Sequence, residues 1–174
     1  MNPDEIFLQA DALVKHSGGR NTKAIAEMLG IRIYYRSDFK HLLGMYTYQW
    51  KHRMIFLNDR LDENLEQMVL AHEIGHDQRH RELAAQAGLQ EFSLFSVNNS
   101  KIEHEANVFA AHLLLDSNEV YSCACRGFDI AQTASAMNTD VNLLLIKLQE
   151  MMKSGYDLQI PFEADSSFFG KIRK

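Results

Sequence analysis

The chain has 174 residues, 46% of them hydrophobic, which is enough for one core without disulfide staples. Its formal net charge of −5 argues against a broad nucleic-acid footprint, which needs clustered Lys and Arg. Asp4, Glu5 and Asp11 interrupt the region where a signal peptide needs basic and then apolar residues, and no stretch reaches the ~20 apolar residues of a membrane span, so a soluble, cytoplasmic, single-domain protein over residues 1–174 is expected.

In chain order, "PDEIFLQADALVKH" places Ile6, Leu8, Ala12 and Leu13 in a helical rhythm, and "NTKAIAEMLG" reads as a second short helix entered at Asn21 and stopped by Gly30. The character then changes. "IRIYYRS", "GMYTYQW" and "RMIFLND" alternate or carry β-prone aromatics, which predicts three strands in a small antiparallel sheet. From Leu61 onward the pattern is helical, over roughly 61–80 and 100–116, then 117–124, 129–136 and 139–154, with "QEFSLFSVNNS" as a loop between the two strongest helices. The fold class implied is α+β, a mainly helical domain on a sheet of about three strands. Its core spans about 30–116, between N-terminal helices over 1–29 and a C-terminal helical part over 117–174 that ends in an aromatic, basic tail. Cys123 and Cys125, the only cysteines, have no second thiol pair at zinc-ligand spacing and read as small packing residues.

The chemistry is concentrated in "VLAHEIGHDQRHRE", residues 69–82. Residues four apart share a helix face, so His72 and His76 can converge their rings on one ion. Glu73, one step round the helix, stands where a general base can reach the ion's open position. The extended pattern HExxHxxGxxH is excluded, because Arg79 and Glu82 occupy the positions of its Gly and third His. His80 keeps the four-residue spacing but rotates away from His72, and reads as a surface or substrate-facing side chain. A third ligand must therefore come from elsewhere, and the helix "KIEHEANVFAAHLLL" offers Glu103, Glu105 and His112. Glu103 is favoured, because Ala106, Asn107 and Ala110 on its face let two helices approach closely. Asn107 is also placed to hydrogen-bond a ligand histidine from behind.

Together, "LAHEIGHDQRHRELA" and "IEHEANVFAAHLLL" resemble the ImmA/IrrE family of zinc metallopeptidases. Glu103, Ala106, Asn107, Phe109 and Ala110 match that family's second motif position by position, and the likeness extends upstream to about residue 30. Asp116 after Leu115 departs from the Pro that family members often carry there. The resemblance implies a gluzincin-like fold, one Zn²⁺ ion and a bacterial regulatory protease that acts on a helix-turn-helix transcriptional repressor. It also implies a substrate added as a strand along the sheet edge, for which "RMIFLND" is the natural candidate. An oxyanion donor is required as well, and Tyr46, Tyr48, His80, His112 and Tyr121 are unranked candidates. A non-enzymatic alternative remains in "DIAQTASAMNTDVNLLLIKLQEM", whose two short helices could form a binding module or antirepressor surface. Its scarcity of Lys and Arg favours a structural helical pair over a DNA reader.

Overall fold

The computed structural model describes residues 3–87, 89–91, 95 and 100–158. In chain order these form α1 (Pro3–Ser17), α2 (Thr22–Met28), β1 (Arg32–Arg36), β2 (Gly44–Gln49), β3 (His52–Asn58), α3 (Glu63–Arg79) and α4 (Arg81–Ala87). They continue with β4 (Leu89–Glu91), α5 (Lys101–Leu114), α6 (Ser117–Cys125), α7 (Ile130–Ala136) and α8 (Val141–Lys153). The architecture is α+β, as the sequence pattern implies.

Helix starts follow side-chain chemistry. Asn21, Asp62, Ser100, Asp116, Asp129 and Asp140 each accept a backbone N–H from the first turn of the helix they precede, so each offsets one donor the helix cannot satisfy itself. Asp129 and Gln132 close a reciprocal capping box at the start of α7.

The sheet departs from the expected antiparallel pattern. Its order is β1-β3-β2-β4, with β2 antiparallel to both β3 and β4 but β1 parallel to β3. Only the β2–β3 connection is a tight hairpin, through Trp50 and Lys51, both at positive φ (49° and 63°). Such a two-residue turn matches the twist of the strands it joins. Strand β1 reaches the sheet from α2 and enters on the far side of β3, which makes the sheet mixed. It also places "RMIFLND" in the interior, flanked on both sides, so this segment is not the exposed edge that strand addition requires.

One core cluster joins Ile6 and Ala10 of α1, Ile25 of α2, Tyr46, Ile55 and Leu57 of the sheet, Leu70 and Ile74 of α3, Phe109 and Leu113 of α5, and Leu144 and Leu148 of α8. Helix α3 is buried almost all round from Met68 to Asp77, which explains why its sequence lacks a clean apolar stripe. The segment read as a loop, 90–100, opens with the end of β4 and contains the buried Phe95; its remaining residues 92–94 and 96–99, and the tail 161–174, lie outside the described residues. No described helix is long and apolar enough to cross a membrane.

Candidate metal centre

Helix α3 carries His72, Glu73 and His76 at the heart of the molecule, the first two fully buried and His76 nearly so. Helix α5 crosses it closely because α3 has Gly75 at the crossing. A Cβ there would lie 3.0 Å from the Ala106 carbonyl oxygen and 3.1 Å from its Cα. Glycine inside a helix costs about 1 kcal/mol relative to alanine, so an interior helical glycine signals a packing demand of this kind.

The crossing brings Glu103, in the first turn of α5, over the two histidines. His72 Nε2 lies 3.2 Å from Glu103 Oε2, His76 Nε2 lies 3.5 Å from Glu103 Oε1, and the two Nε2 atoms are 3.0 Å apart. Among the described residues these three form the group that can hold a metal ion. Zinc–ligand bonds of 2.0–2.1 Å at tetrahedral angles separate neighbouring ligand atoms by about 3.3 Å, and the three spacings bracket that value. The donor chemistry agrees. Burial pushes the His76 pKa down to about 4, so its ring is neutral and keeps a lone pair at neutral pH. Burial raises the Glu103 pKa, but the adjacent His72 and His76 rings outweigh this and hold the carboxyl well below the usual range. Its place at a helix N-terminus favours the same charge.

The partner expected behind the first histidine is present: Asn107 Oδ1 accepts from His72 Nδ1 at 2.8 Å. Glu105 is not part of this group. Two residues round α5 from Glu103, it faces His80 instead, with 3.3 Å between Glu105 Oε2 and His80 Nε2. His80 itself ends α3 with φ −130° and ψ 23°, is buried rather than surface-facing, and turns its Nδ1 to within 3.1 Å of His76 Nδ1.

Strand β2 runs beside α3 and α4, matching two strand residues to one helical turn. Gly44 lies against Glu73, the Tyr46 hydroxyl donates to Asp77 at 2.7 Å, and the Tyr48 ring meets the Arg81 guanidinium at 5.8 Å. A Cβ on Gly44 would stand 2.7 Å from Glu73 Oε1 and 2.5 Å from Val69 Cγ1. Strand β2 therefore covers the candidate base through a residue with no side chain. The same register moves both tyrosines away from it. Tyr46 is fully buried and committed to Asp77, its phenol pKa raised by burial and then by that hydrogen bond, and Tyr48 stands two turns beyond Glu73. His112 points to the other side of α5, where Lys147 Nζ lies 3.1 Å from its Nδ1 and Phe7 packs edge-on at 5.3 Å. Tyr121 is on α6, partly exposed, with its ring against Tyr156. Of the five oxyanion candidates, only His80 is brought to the group, and it stands behind a ligand rather than in front of one.

Sequence reasoning missed Gly44, Gly75 and Asp77. Asp77 is wholly buried and is held by Tyr46, by Arg81 at 3.2 Å and by Arg53 at 3.5 Å, so one carboxylate ties α3 to β2, β3 and α4. A charge directly after a ligand histidine in an otherwise buried helix was the available signal.

Comparison with known proteins adds a family. The family model for the IrrE N-terminal-like domain, peptidase family M78, matches residues 26–158, a span that includes α3 and α5. The chain is also 33% identical over 103 residues to uncharacterized immunity region protein 2 of Bacillus phage phi105, an alignment that covers 59% of this chain and 63% of that protein.

Proposed function

The chain belongs to the IrrE N-terminal-like domain family, peptidase family M78, and from that premise we propose that it is a zinc-dependent endopeptidase whose substrate is a helix-turn-helix transcriptional repressor. The observation that carries the reading is the spacing of 3.0, 3.2 and 3.5 Å among His72 Nε2, His76 Nε2 and the Glu103 carboxylate, with Glu73 on the same helix. His72, His76 and Glu103 would hold the ion. When bound, Zn²⁺ supplies Lewis acidity to a peptide carbonyl and to water. Glu73 takes the proton from the water that attacks the carbonyl carbon and returns it to the amine as the C–N bond breaks. Burial of Glu73 beneath Gly44 excludes bulk solvent from this carboxylate and fixes its position.

The repressor as substrate is supported by the family and by the phage relative, whose name places it in an immunity region. A DNA-bound regulator as substrate puts the site of action in the cytoplasm. The test is to purify the chain, measure its zinc content, and incubate wild type and Glu73→Gln with helix-turn-helix repressors from the same genome. Near-stoichiometric zinc in both proteins and fragments from wild type alone are expected, with turnover reduced by about 10²–10⁴-fold in Glu73→Gln. A repressor that is bound and inactivated but never cut, by a chain loaded with zinc, replaces the protease with a non-proteolytic antirepressor. Equal cleavage by Glu73→Gln removes Glu73 from its role.

A further inference from the structure

The two histidines of the group are backed by different chemistry. His72 Nδ1 faces a side-chain amide oxygen, which can only accept, so His72 must carry its proton on Nδ1 and present the Nε2 lone pair to the ion. His76 Nδ1 faces another imidazole nitrogen, His80 Nδ1 at 3.1 Å, and that contact alone does not say which ring donates. The third member decides. Glu105 Oε2 is 3.3 Å from His80 Nε2, and a carboxylate accepts only. Arg79 Nε lies 4.0 Å from the same oxygen.

His80 therefore carries its proton on Nε2, and its Nδ1 is an acceptor. His76 Nδ1 must then be the donor, which leaves the His76 Nε2 lone pair directed at His72 and Glu103. The opposite assignment sets the His80 Nε2 lone pair against a carboxylate oxygen and puts a proton on His76 Nε2, where a ligand needs none. His80 and Glu105 are both buried, at 6% and 8% exposure, so water does not readily substitute for either partner.

We propose that His80, its tautomer locked by Glu105, is a positioning residue that holds His76 as an Nε2 metal ligand through the relay Glu105–His80–His76. The relay does for His76 what Asn107 does for His72. It rests on the metal-site reading above and adds to it that two residues otherwise read as a surface histidine and a spare carboxylate set the affinity of the site. Outer partners of ligand histidines change metal affinity by about 10–100-fold when removed.

The experiment measures zinc dissociation constants by competition with a chromophoric chelator, and the visible spectrum after cobalt substitution, for wild type, His80→Phe and His80→Asn. His80→Phe keeps a ring but no acceptor, and His80→Asn keeps an acceptor, its Oδ1, near the place of Nδ1. Expected are a 10–100-fold loss of zinc affinity with an altered cobalt spectrum in His80→Phe, recovery of most of the affinity in His80→Asn, and similar melting temperatures for all three metal-free proteins. Wild-type affinity in a folded His80→Phe overturns the relay, as does an affinity in His80→Asn no better than in His80→Phe. If His80→Phe does not fold, Glu105→Ala decides: weakened zinc binding supports the relay and unchanged binding overturns it. A wild-type chain that takes up no zinc overturns instead the metal-site reading beneath it.

Discussion

The centre depends on single residues whose spacing can be read and on others whose absence of a side chain cannot. His72, His76 and Glu73 lie within one helical turn, so their convergence follows from a four-residue period alone. Asn107 follows in the same way, one turn after Glu103. Gly44 is different: nothing local to "LLGMYTY" says that its missing Cβ makes room for a carboxylate 29 positions on. Gly44→Ala tests this. Its Cβ, 2.7 Å from Glu73 Oε1 and 2.5 Å from Val69 Cγ1, forces either the strand or the base to shift, at a cost of about 1–3 kcal/mol in stability. Because the atoms nearest a Cβ on Gly44 belong to Val69 and Glu73 rather than to the proposed ligands, zinc affinity should stay near wild type while kcat falls by up to about 10²-fold. Calorimetric metal titration beside a cleavage assay separates the two effects, and a loss of zinc binding equal to the loss of rate contradicts this placement.

At the scale of elements, the helices were legible and the sheet only in part. Helices α3, α5 and α8 announce their starts with an Asp or Ser cap, and α7 and α8 appear as the expected pair, with Leu143, Leu144 and Leu148 of α8 buried in the core. The three strands were legible from alternation, but the parallel β1–β3 pairing was not, because strand order depends on where α2 and α3 pack rather than on any strand's own residues. The end of α3 near residue 80 was legible, but the short helix α4 directly after it was not, since the break at His80 carries neither Gly nor Pro. Glu105 could not be assigned to His80, since that contact needs the crossing of α3 with α5 as well. The crossing is the element-level feature on which the centre depends. Gly75→Val sets a branched side chain where even a lone Cβ would be 3.0 Å from the α5 backbone, so α5 must move away and carry Glu103 with it. Both stability, by about 1–3 kcal/mol, and zinc affinity should fall together, in contrast to Gly44→Ala. Urea unfolding with and without zinc reads both; a variant that loses stability but binds zinc normally shows that Glu103 does not depend on the crossing distance.

Across the whole molecule, α5 joins two buried polar clusters, the metal group on its α3 side and Lys147 with His112 on its α1 and α8 side. Lys147 is 1% exposed; its ammonium faces His112 Nδ1 of α5 at 3.1 Å and the Phe7 ring of α1 at 5.9 Å. Burial, then repulsion from Arg20, outweigh attraction to Asp116 and Asp11 and push its pKa down from 10.5 to about 8. Between those values the unfolded chain holds the proton and the folded chain has released it, so stability rises with pH across this window. Below pH 8 both states are protonated and the whole cost of the buried charge is present, about 3 kcal/mol for a shift of this size. Wild type should therefore gain stability relative to Lys147→Met as pH rises from about 7.5 to 10.5, since the methionine variant keeps every other titrating group and lacks only this one. The comparison concerns slope, because Lys147→Met also leaves His112 Nδ1 without its donor, a separate cost of about 1–3 kcal/mol that does not vary across this window. Denaturant unfolding of both proteins in the metal-free state, at three pH values with a common m-value, measures the difference. Parallel stability profiles mean that the folded chain keeps the Lys147 amine protonated across the window, which requires water or a carboxylate to reach it inside the α1–α5–α8 interface.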